Sequence, residues 1–275
     1  MRKSLLFIPA NHPGMLQNVD IFEADSVIFD LEDGVALTEK DAAKDLLVSF
    51  FQHFHLKDVE KIIRIHEIHD LDIIMSHHID TICLPKADVS SLKLLDKKLS
   101  ALEKKHKLDH QINIIALIET PESILNALEI AKQPRVNGLL LGAEDLATYL
   151  GVKRTLSGIE IEFARNMVIY AAKAVGIDAI DTPFTDTTDL SGLTKDIEHA
   201  KALGMNAKAC IHPNQIETVN HLFKPSKEDI LYAQKILLAK QQADAQGLGA
   251  FSVDGKMVDK PIIDRAIHII NASKE

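Results

Sequence analysis

Two apolar runs of the sequence end in carboxylates, and these acids are the residues best suited to chemistry. Residues 138–141 read Gly-Leu-Leu-Leu, and after Gly-Ala they are followed by Glu144 and Asp145. The upstream run Asn113–Ile118 ends in the same way at Glu119. Mg²⁺ prefers oxygen ligands, and it commonly uses one or two carboxylates while keeping positions for substrate and water. Acids on neighbouring strand ends therefore predict a magnesium site.

Polar residues also follow the other apolar runs. Collected without further assumption, they are Asp30, Glu32, Asp33, Arg64, Lys86, Glu119, Glu144, Asp145, Asp181 and His212. Each has a simpler explanation when it is taken alone, because strand-end acids often cap the next helix and an Arg in a buried run needs an acidic partner. Together, several carboxylates with one Arg and one Lys predict a Mg²⁺ site beside a carboxylate-binding site.

The elements that must position these residues alternate between apolar strands and helices. The predicted strands are Ser4–Pro9, Ser26–Asp30, 61–65, 80–84, Asn113–Ile118, 138–141, Asp178–Asp181 and 207–211. The predicted helices are 15–22, one capped by Thr38 and ending near His53, Val89–His106, 122–132 started by Pro121, 157–174, Leu190–Leu203, 213–222 and Lys227–Ala245. Eight such repeats predict an α/β fold, a (β/α)₈ TIM barrel, whose active site lies at the C-terminal ends of the strands. A doubly wound sheet is the alternative, but no Gly-x-Gly-x-x-Gly follows the first strand.

The last fifty residues differ in character from the barrel repeats. We expect residues 1–222 to form the barrel and residues 223–275 a helical C-terminal extension within the same structural unit. The extension contains the segment 247–261, rich in Gly and charged residues, before a final helix. Such a segment could fold over an active site as a lid.

Composition excludes several functional classes. The chain has 275 residues, a net charge of −9 and no Lys/Arg block, which argues against a nucleic-acid partner. No apolar run reaches the roughly 18 residues of a membrane span, and the first strand is too short for a signal peptide. Cys83 and Cys210 lie in apolar runs, as buried free thiols do. A cytoplasmic enzyme is expected.

Other catalytic patterns are absent or weak. His66, His69, His77 and His78 cluster without the spacing of a zinc site. The sequence has no nucleophile elbow and no P-loop. Lys86 could form a Schiff base in principle, but the nearby acids favour a charged Lys that faces a phosphate or an acid.

Several motifs resemble the citrate lyase β subunit family. They are Ser4-Leu-Leu-Phe-Ile-Pro, Phe29-Asp-Leu-Glu-Asp-Gly-Val, Ile63-Arg-Ile, Leu84-Pro-Lys, Leu117-Ile-Glu-Thr, Leu141-Gly-Ala-Glu-Asp-Leu, Asp181-Thr-Pro, Ile211-His-Pro-Asn-Gln-Ile and Gly255-Lys-Met-Val-Asp-Lys-Pro. The resemblance runs from the first strand to the final helix. It places the chain among the Mg²⁺-dependent HpcH/HpaI-type aldolase and lyase barrels, which include malyl-CoA and citramalyl-CoA lyases.

The resemblance implies roles for particular residues. Arg64 would bind substrate and act in catalysis, Glu119 would bind both Mg²⁺ and substrate, and Asp145, not Glu144, would be the second Mg²⁺ ligand. Asp259 would be a catalytic lid residue that reaches a neighbouring subunit. The residues expected near the acyl thioester are Lys86, His212, Pro213 and Gln215. Those expected to surround and orient the ligands are Asp30, Glu32, Asp33 and Glu144.

The implied reaction is cleavage of citryl-ACP or citryl-CoA into oxaloacetate and an acetyl thioester, with Mg²⁺ as cofactor. The implied partners are a carrier protein or CoA, the citrate lyase α and γ subunits, and further copies of the chain in a trimer. A stand-alone malyl-CoA or citramalyl-CoA lyase is a second hypothesis. A catalytically idle assembly subunit of a lyase complex is a third, from a different functional class.

One departure from the family pattern follows the third strand. The family carries Arg-Val-Asn there, whereas this chain reads Arg64-Ile65-His66 and reaches Leu84 after only 20 positions. We expect the shortened segment to affect acyl specificity and the packing of one barrel helix, and to leave the metal site unchanged.

Overall fold

Eight parallel strands close into a barrel in sequence order, with β1 paired to both β2 and β8. The structure is a computed structural model, and it describes residues 2–76, 78–245, 247 and 250–273. The strands are β1 (Ser4–Pro9), β2 (Ser26–Asp30), β3 (Glu60–Arg64), β4 (Thr81–Leu84), β5 (Asn113–Ile118), β6 (Val136–Leu141), β7 (Asp178–Asp181) and β8 (Ala207–Cys210). The predicted (β/α)₈ barrel is confirmed.

Helices connect the strands and continue beyond the barrel. They are α1 (Pro13–Leu16), α2 (Lys40–His53), α3 (Leu71–Ile74), α4 (Val89–His106), α5 (Pro121–Leu125), α6 (Ala127–Ala131), α7 (Ala143–Leu150), α8 (Glu162–Val175), α9 (Leu190–Leu203), α10 (Ile216–Phe223), α11 (Lys227–Ala245) and α12 (Lys260–Ala272). Of the helices that the structure describes, none combines the length and the apolar content needed to cross a bilayer.

The barrel interior is filled by small and branched apolar side chains. Successive strand residues point to opposite faces, so one set from each strand meets inside and the other packs against the helices. The interior set is Leu5, Ile28, Ile62, Cys83, Ile115, Leu117, Leu140, Ile180, Ala207 and Ala209, with Phe7 packed against it. Both cysteines are buried free thiols, as predicted.

Polar side chains bind one another at the N-terminal end of the barrel. Arg2 donates to both oxygens of Glu60 at 2.6 Å each, and it reaches Asp178 at 2.9 Å. Ser26 and Thr81 also donate to Glu60, at 2.7 and 2.6 Å. These bonds join the starts of β2, β3, β4 and β7 at the end of the barrel opposite the C-terminal rim, where polar contacts serve stability rather than catalysis.

Several helix boundaries differ from the sequence predictions. Residues 15–22 divide between α1 and a 3₁₀ turn, Val19–Ile21. Thr38 does not cap α2 because it lies inside the 3₁₀ turn Leu37–Glu39 that precedes it. The predicted helix 122–132 is two short helices, since Asn126 adopts a non-helical φ of −101° and ψ of 11°. Pro121 does begin the first of them, as expected.

The connection between β3 and β4 contains only short helical elements. It contains a 3₁₀ turn, Ile68–Asp70, and the four-residue α3, whereas α4 has 18 residues. Asp70 fixes this connection, because its carboxylate accepts the N–H groups of His66 and Glu67 at 2.9 Å each and pairs with Lys44. The helix of this connection is therefore short, and an effect on its packing and on acyl specificity stays a prediction; His77 lies outside the described residues.

The contacts divide the chain into two compact units, Arg2–Asn220 and the segment that begins at His221. The boundary falls inside α10, close to the predicted one at residue 222. The second unit contains α11, α12 and an unpredicted antiparallel hairpin of β9 (Phe251–Val253) and β10 (Lys256–Val258). Its core residues are Ala233, Ile236, Val253, Val258, Ile263 and Ala266. The helical extension is confirmed, and its action as a lid stays a prediction.

We predict that Glu60→Ala lowers the free energy of unfolding by about 3 kcal/mol, because it leaves the partly buried Arg2 without its main partner. Urea unfolding followed by circular dichroism measures the change. Glu129→Ala is the matched control, since Glu129 pairs with Lys132 on the surface and such pairs contribute about 0–1 kcal/mol. Equal losses in the two variants would contradict a structural role for the polar cluster.

Candidate active site

Arg64 and Asp30 form a two-pronged ion pair at the C-terminal ends of β3 and β2. Arg64 Nε donates to Asp30 Oδ1 at 2.7 Å, and Nη2 donates to Oδ2 at 2.6 Å. The guanidinium carbon also lies 4.9 Å from the centre of the Phe7 ring. Burial alone would lower the pKa of Arg64, but the bonds to Asp30 and the charges of Asp30 and Glu32 raise it. The Arg is therefore a fixed positive charge.

The loop after β2 is folded around the Asp30 carboxylate. Asp30 accepts the N–H of Glu32 and the N–H of Gly34 at 2.8 Å each. A Cβ on Gly34 would lie 2.5 Å from Asp30 Oδ2, so only glycine fits beside the carboxylate. The buried Lys40 donates to the carbonyls of Leu31 and Glu32 at 2.7 and 2.6 Å. These bonds fix the loop that carries the acids.

Glu32 is held near Arg64 without a full set of bonds. Its Oε2 lies 3.1 Å from Arg64 Nη1, but this buried oxygen has no partner in hydrogen-bonding geometry among the described residues. Burial raises the pKa of Glu32 to about 7, with Arg64 opposing the rise and Asp33 adding to it. Asp33 itself is exposed and lies 3.9 Å from Arg64 Nη1. Arg64 Nη1 can therefore donate to another anionic partner.

Glu119 is nearly inaccessible and is held from two sides. The N–H of Lys86 donates to Glu119 Oε1 at 2.7 Å, and Lys86 adopts the uncommon left-handed conformation with φ of 47° to make this bond. On the other side a Cβ on Gly142 would lie 2.6 Å from Glu119 Cβ and 2.7 Å from Oε2. Gly142 is thus required for the position of Glu119.

Negative charge accumulates around Glu119. Burial raises the pKa of Glu119 to about 8; the bond from Lys86 works against the rise, and the charges of Glu32 and Asp145 add to it. Asp145 lies in the first turn of α7 and also raises the pKa of Lys86, together with Glu32 and Glu119. Asp145 is therefore close enough to act electrostatically on both residues.

Glu144 differs from its neighbour Asp145 in its partner. Its side chain is 56% exposed and accepts a bond from Arg154 Nε at 3.1 Å. The helix α7, which sequence reasoning missed, starts directly after β6 and turns the two consecutive acids in different directions. This geometry supports the expectation that Glu144 is not the second metal ligand.

These groups line one cleft of about 390 Å³ at the C-terminal end of the barrel. Asp30, Arg64, Glu119 and Asp145 share it with an apolar wall, and Lys86 lies at its edge, 3.8 Å from Glu32. The remaining lining residues are Phe7, Pro9, Asp33, Gly34, Leu117, Leu140, Leu141, Gly142, Ala143, Glu144, Thr182, Pro183 and Ile211. Phe7, Gly142 and Thr182 are site residues that the sequence did not predict, although Gly142 lies between Glu119 and the acids Glu144 and Asp145 in the sequence.

The predicted thioester-binding segment has one buried and several accessible members. His212 is exposed, Pro213 begins a 3₁₀ turn, and Lys86 is 54% exposed at the side chain. Gln215 is 1% exposed; its Oε1 accepts the Ile211 N–H and its Nε2 donates to the Phe184 carbonyl. Gln215 therefore positions the segment. A role of the segment in thioester binding stays a prediction.

Asp181 was expected on the rim, and this expectation is wrong. Its side chain is fully buried and pairs with Arg165 at 2.9 Å and Lys208 at 2.6 Å. The preceding residue, Ile180, points into the barrel, so Asp181 points outward toward the helices. Asp259 lies in the second unit, where it is the N-cap of α12 and accepts the N–H of Ile262 at 3.4 Å.

The donors of the cleft fit Mg²⁺. Glu119 Oε1 is occupied by Lys86, which leaves Oε2, and Asp145 supplies a second carboxylate nearby. The described residues contain no group of three or more His, Cys, Asp or Glu arranged to hold a metal. Two carboxylates with room for substrate and water suit Mg²⁺ rather than a metal that needs a closed protein cage. Burial is the main cause of the raised pKa of Glu119, and the negative charges of Glu32 and Asp145, which add to the rise, also favour a bound cation.

Known proteins are similar to this chain over most or all of its length. The family model described as HpcH/HpaI aldolase/citrate lyase matches residues 3–213. Citrate lyase subunit beta of Haemophilus influenzae is 36% identical and aligns with 100% of this chain and 97% of its own length. Mitochondrial citramalyl-CoA lyase of Rattus norvegicus is 29% identical over 98% of this chain and 85% of its own length. The crystal structure of CitE from Mycobacterium tuberculosis with magnesium, acetoacetate and coenzyme A is 31% identical, covers 100% of this chain and 98% of its own, and has a TM-score of 0.80.

We predict that Gly142→Ala weakens Mg²⁺ binding about tenfold or more, because the added methyl group displaces the Glu119 carboxylate. Isothermal titration with Mg²⁺ measures the affinity. Gly14→Ala is the matched control, since the nearest atom to a Cβ at that glycine is 3.9 Å away. Unchanged affinity in Gly142→Ala would show that Glu119 does not bind the metal.

We predict that Glu32→Gln makes the metal-free protein more heat-stable at pH 8 but not at pH 5. The pKa of Glu32 rises from an ordinary value of 4.5 to about 7 in the folded chain. The folded state therefore keeps a proton that the unfolded state loses, and stability falls as the pH rises from about 4.5 to 7. The neutral Gln avoids this loss.

Melting temperatures in chelator across this pH range measure the effect of Glu32→Gln. Each pKa unit corresponds to about 1.4 kcal/mol, so a gain of several degrees is expected at pH 8. The exposed Glu129→Gln should show no such pH dependence. A constant difference between Glu32→Gln and the wild-type protein at all pH values would contradict the raised pKa.

Proposed function

Because the chain belongs to the HpcH/HpaI aldolase/citrate lyase family, we propose that it is a Mg²⁺-dependent carbon–carbon lyase that cleaves a citryl thioester into oxaloacetate and an acetyl thioester. The observation that carries the proposal is the meeting of a clamped Arg64 with Glu119 and Asp145 in one cleft. The full-length similarity to citrate lyase β subunits supports the choice of substrate class.

The reaction makes two electrostatic demands on the cleft. The bond between the hydroxyl-bearing carbon and the thioester's α-carbon breaks, the hydroxyl loses its proton, and the acetyl-thioester enolate takes up a proton. Negative charge must therefore be stabilised first on the former hydroxyl oxygen and then on the enolate. The chemistry that bound Mg²⁺ supplies is Lewis-acid polarisation of the hydroxyl and the neighbouring carboxylate.

Arg64 supplies the protein's own positive charge for this step. Arg64 donates its Nε and Nη2 hydrogens to Asp30. Its Nη1, which faces Glu32, is therefore the nitrogen that can donate to a substrate oxygen. The clamp fixes this nitrogen before substrate arrives, which lowers the cost of reorganisation during reaction. We assign Arg64 to the substrate carboxylate and to the developing oxygen charge.

The first turn of α7 offers a second anion-binding group. The N–H groups of Glu144 and Asp145 lie in a turn that provides no intrahelical acceptor, and both residues line the cleft. Helix N-termini stabilise negative charge. We assign these N–H groups to the second carboxylate of an oxo-acid product such as oxaloacetate, beside the Glu119–Asp145 pair.

We further propose that Asp259 carries or directs the proton that the enolate takes up, from a neighbouring subunit of a homo-oligomer. The acyl group would reach the cleft on CoA or on an acyl-carrier protein, past Lys86 and the segment that contains His212, Pro213 and Gln215. Citrate lyase α and γ subunits are the proposed partners in the carrier-protein case. The resemblance of the lid motif and the full-length similarity to citrate lyase β subunits support these assignments.

The second candidate is a stand-alone citramalyl-CoA or malyl-CoA lyase. The similarity to a mitochondrial citramalyl-CoA lyase and the short connection after β3 favour keeping it. Comparison of kcat/KM for purified citryl-CoA, citramalyl-CoA and malyl-CoA separates these enzymes. Absence of turnover on all of them, with carrier-protein binding intact, would instead favour the idle assembly subunit.

We predict that Asp145→Ala abolishes Mg²⁺-dependent cleavage of citryl-CoA while the barrel stays folded. Release of oxaloacetate, followed by its reduction with NADH, measures the rate. Glu144→Gln is the matched control on the adjacent acid, and it should keep the rate within about threefold because its side-chain partner, Arg154, does not line the cleft. Wild-type turnover in Asp145→Ala, or full activity with excess chelator, would refute the metal assignment.

A further inference from the structure

Thr182 connects the end of β7 to the start of α7 beside the active-site cleft. It follows β7 directly, it is fully buried, and it lines the cleft. Its Oγ1 accepts the N–H of Ala143 at 3.2 Å. Ala143 is the first residue of α7 and stands two positions before Asp145. One hydroxyl group thus connects β7 to the helix turn that carries the second carboxylate.

The bond meets a local need of α7. The first N–H groups of a helix have no acceptor within the helix and usually obtain one from an N-cap side chain. The N-cap of α7 is Gly142, which has no side chain and which the contact with Glu119 requires to be glycine. The residue that makes room for Glu119 therefore cannot cap the helix, and Thr182 supplies the acceptor from the neighbouring strand.

Thr182 is itself fixed by a buried cation. Lys208 Nζ donates to the Thr182 carbonyl at 2.7 Å, to Asp181 Oδ2 at 2.6 Å and to Asp196 Oδ2 at 2.7 Å. Arg165 binds the same two carboxylates at 2.6 to 3.0 Å. An ammonium group has three donors, and all three are used here.

Burying these charged groups costs free energy, so a gain in stability does not by itself explain the cluster. Lys208, Arg165 and Asp181 are fully buried, and taking charged groups out of water offsets much of what their attraction gains. A cluster of this kind nevertheless holds its members in one geometry. The backbone group to which Lys208 Nζ donates is the Thr182 carbonyl, and it belongs to the residue that holds α7.

We propose that Thr182, anchored by Lys208, is the positioning residue for the Mg²⁺ ligand Asp145. Its hydroxyl sets the start of α7 and thereby the separation of Asp145 from Glu119. The inference rests on the proposed function, because it assigns Thr182 a role only in a chain that binds the metal through these acids. Thr182 does not touch the metal or the substrate in this role.

Three variants test the inference against a purely structural role. Thr182→Val removes the hydroxyl and keeps the shape, whereas Thr182→Ser keeps the hydroxyl. Thr81→Val is the matched control, because Thr81 is equally buried but donates its hydroxyl to Glu60 at the opposite end of the barrel. The readouts are the Kd for Mn²⁺ by electron paramagnetic resonance, amide hydrogen exchange of residues 142–146 without metal, and the melting temperature.

We expect Thr182→Val to raise the Kd for Mn²⁺ about tenfold, the usual effect of removing a partner that orients a metal ligand. Amide hydrogen exchange at residues 142–146 should be faster in the same variant. In Thr182→Ser, both the Kd for Mn²⁺ and the exchange rate should stay near the wild-type values. Thr81→Val should lower the melting temperature and leave the Kd within about twofold. Wild-type Kd and exchange in Thr182→Val would overturn the inference, as would an equal loss of Mn²⁺ affinity in Thr81→Val.

Failure of the proposed function gives a different result. A wild-type protein that binds no Mn²⁺ and cleaves no citryl-CoA would refute the metal-dependent lyase, and the positioning role would fall with it. Wild-type binding with an unaffected Thr182→Val refutes the positioning role alone.

Discussion

The closeness of several carboxylates in one partly buried cleft is the constraint on which the site depends. Among the described residues, six acids share the C-terminal rim with Arg64 and Lys86; the acids are Asp30, Glu32, Asp33, Glu119, Glu144 and Asp145. Burial opposes ionisation and raises the pKa values of Glu32 and Glu119 to about 7 and 8, and nearby like charges, Asp33 for Glu32 and Asp145 for Glu119, add to the rise. A folded chain keeps such an arrangement only where surrounding bonds over-determine it, and the bonds to Asp30, the turn at Lys86 and the glycine at 142 do so.

The other buried charges of the barrel are arranged in the opposite way. Glu60 at the N-terminal end accepts bonds from Arg2, Ser26 and Thr81, and burial is outweighed so that the pKa of Glu60 falls. The cluster around Lys208 likewise combines two cations with two carboxylates. Neutralised charge thus marks the parts of the barrel that hold it together, and uncompensated charge marks the cleft. This contrast locates the site independently of any resemblance.

The sequence predicted the barrel well because the signal repeats eight times along the chain. Each apolar strand followed by a helix adds to the same conclusion, so an error in one element does not change it. The carboxyl-end rule then places Arg64, Glu119 and Asp145 in one cleft. It fails for Asp181, because a strand end alone does not say which face a side chain takes. Lys208 is a charged residue within an apolar run, and this feature of the sequence could have indicated that Asp181 faces outward and pairs with it.

Local choices were less predictable for a different physical reason. Spacing could not decide between Glu144 and Asp145, since the answer depends on a helix that begins immediately after the strand and has no capping residue of its own. The acceptor for that helix, Thr182, lies 39 positions away in sequence. Caps supplied from another strand leave no local pattern, so α7 and its consequence for the two acids became visible only in three dimensions.

The shortened connection after β3 illustrates how separately the parts of the rim are held. Arg64 precedes this connection directly, yet its side chain is fixed by Asp30 and by the Phe7 ring, which belong to β2 and β1. The connection is fixed by its own acid, Asp70, through His66 and Glu67. Since the two sets of bonds share no residue, the connection can shorten without moving the guanidinium or the carboxylates of the metal site. The shortened connection should therefore leave the charged centre of the cleft unchanged.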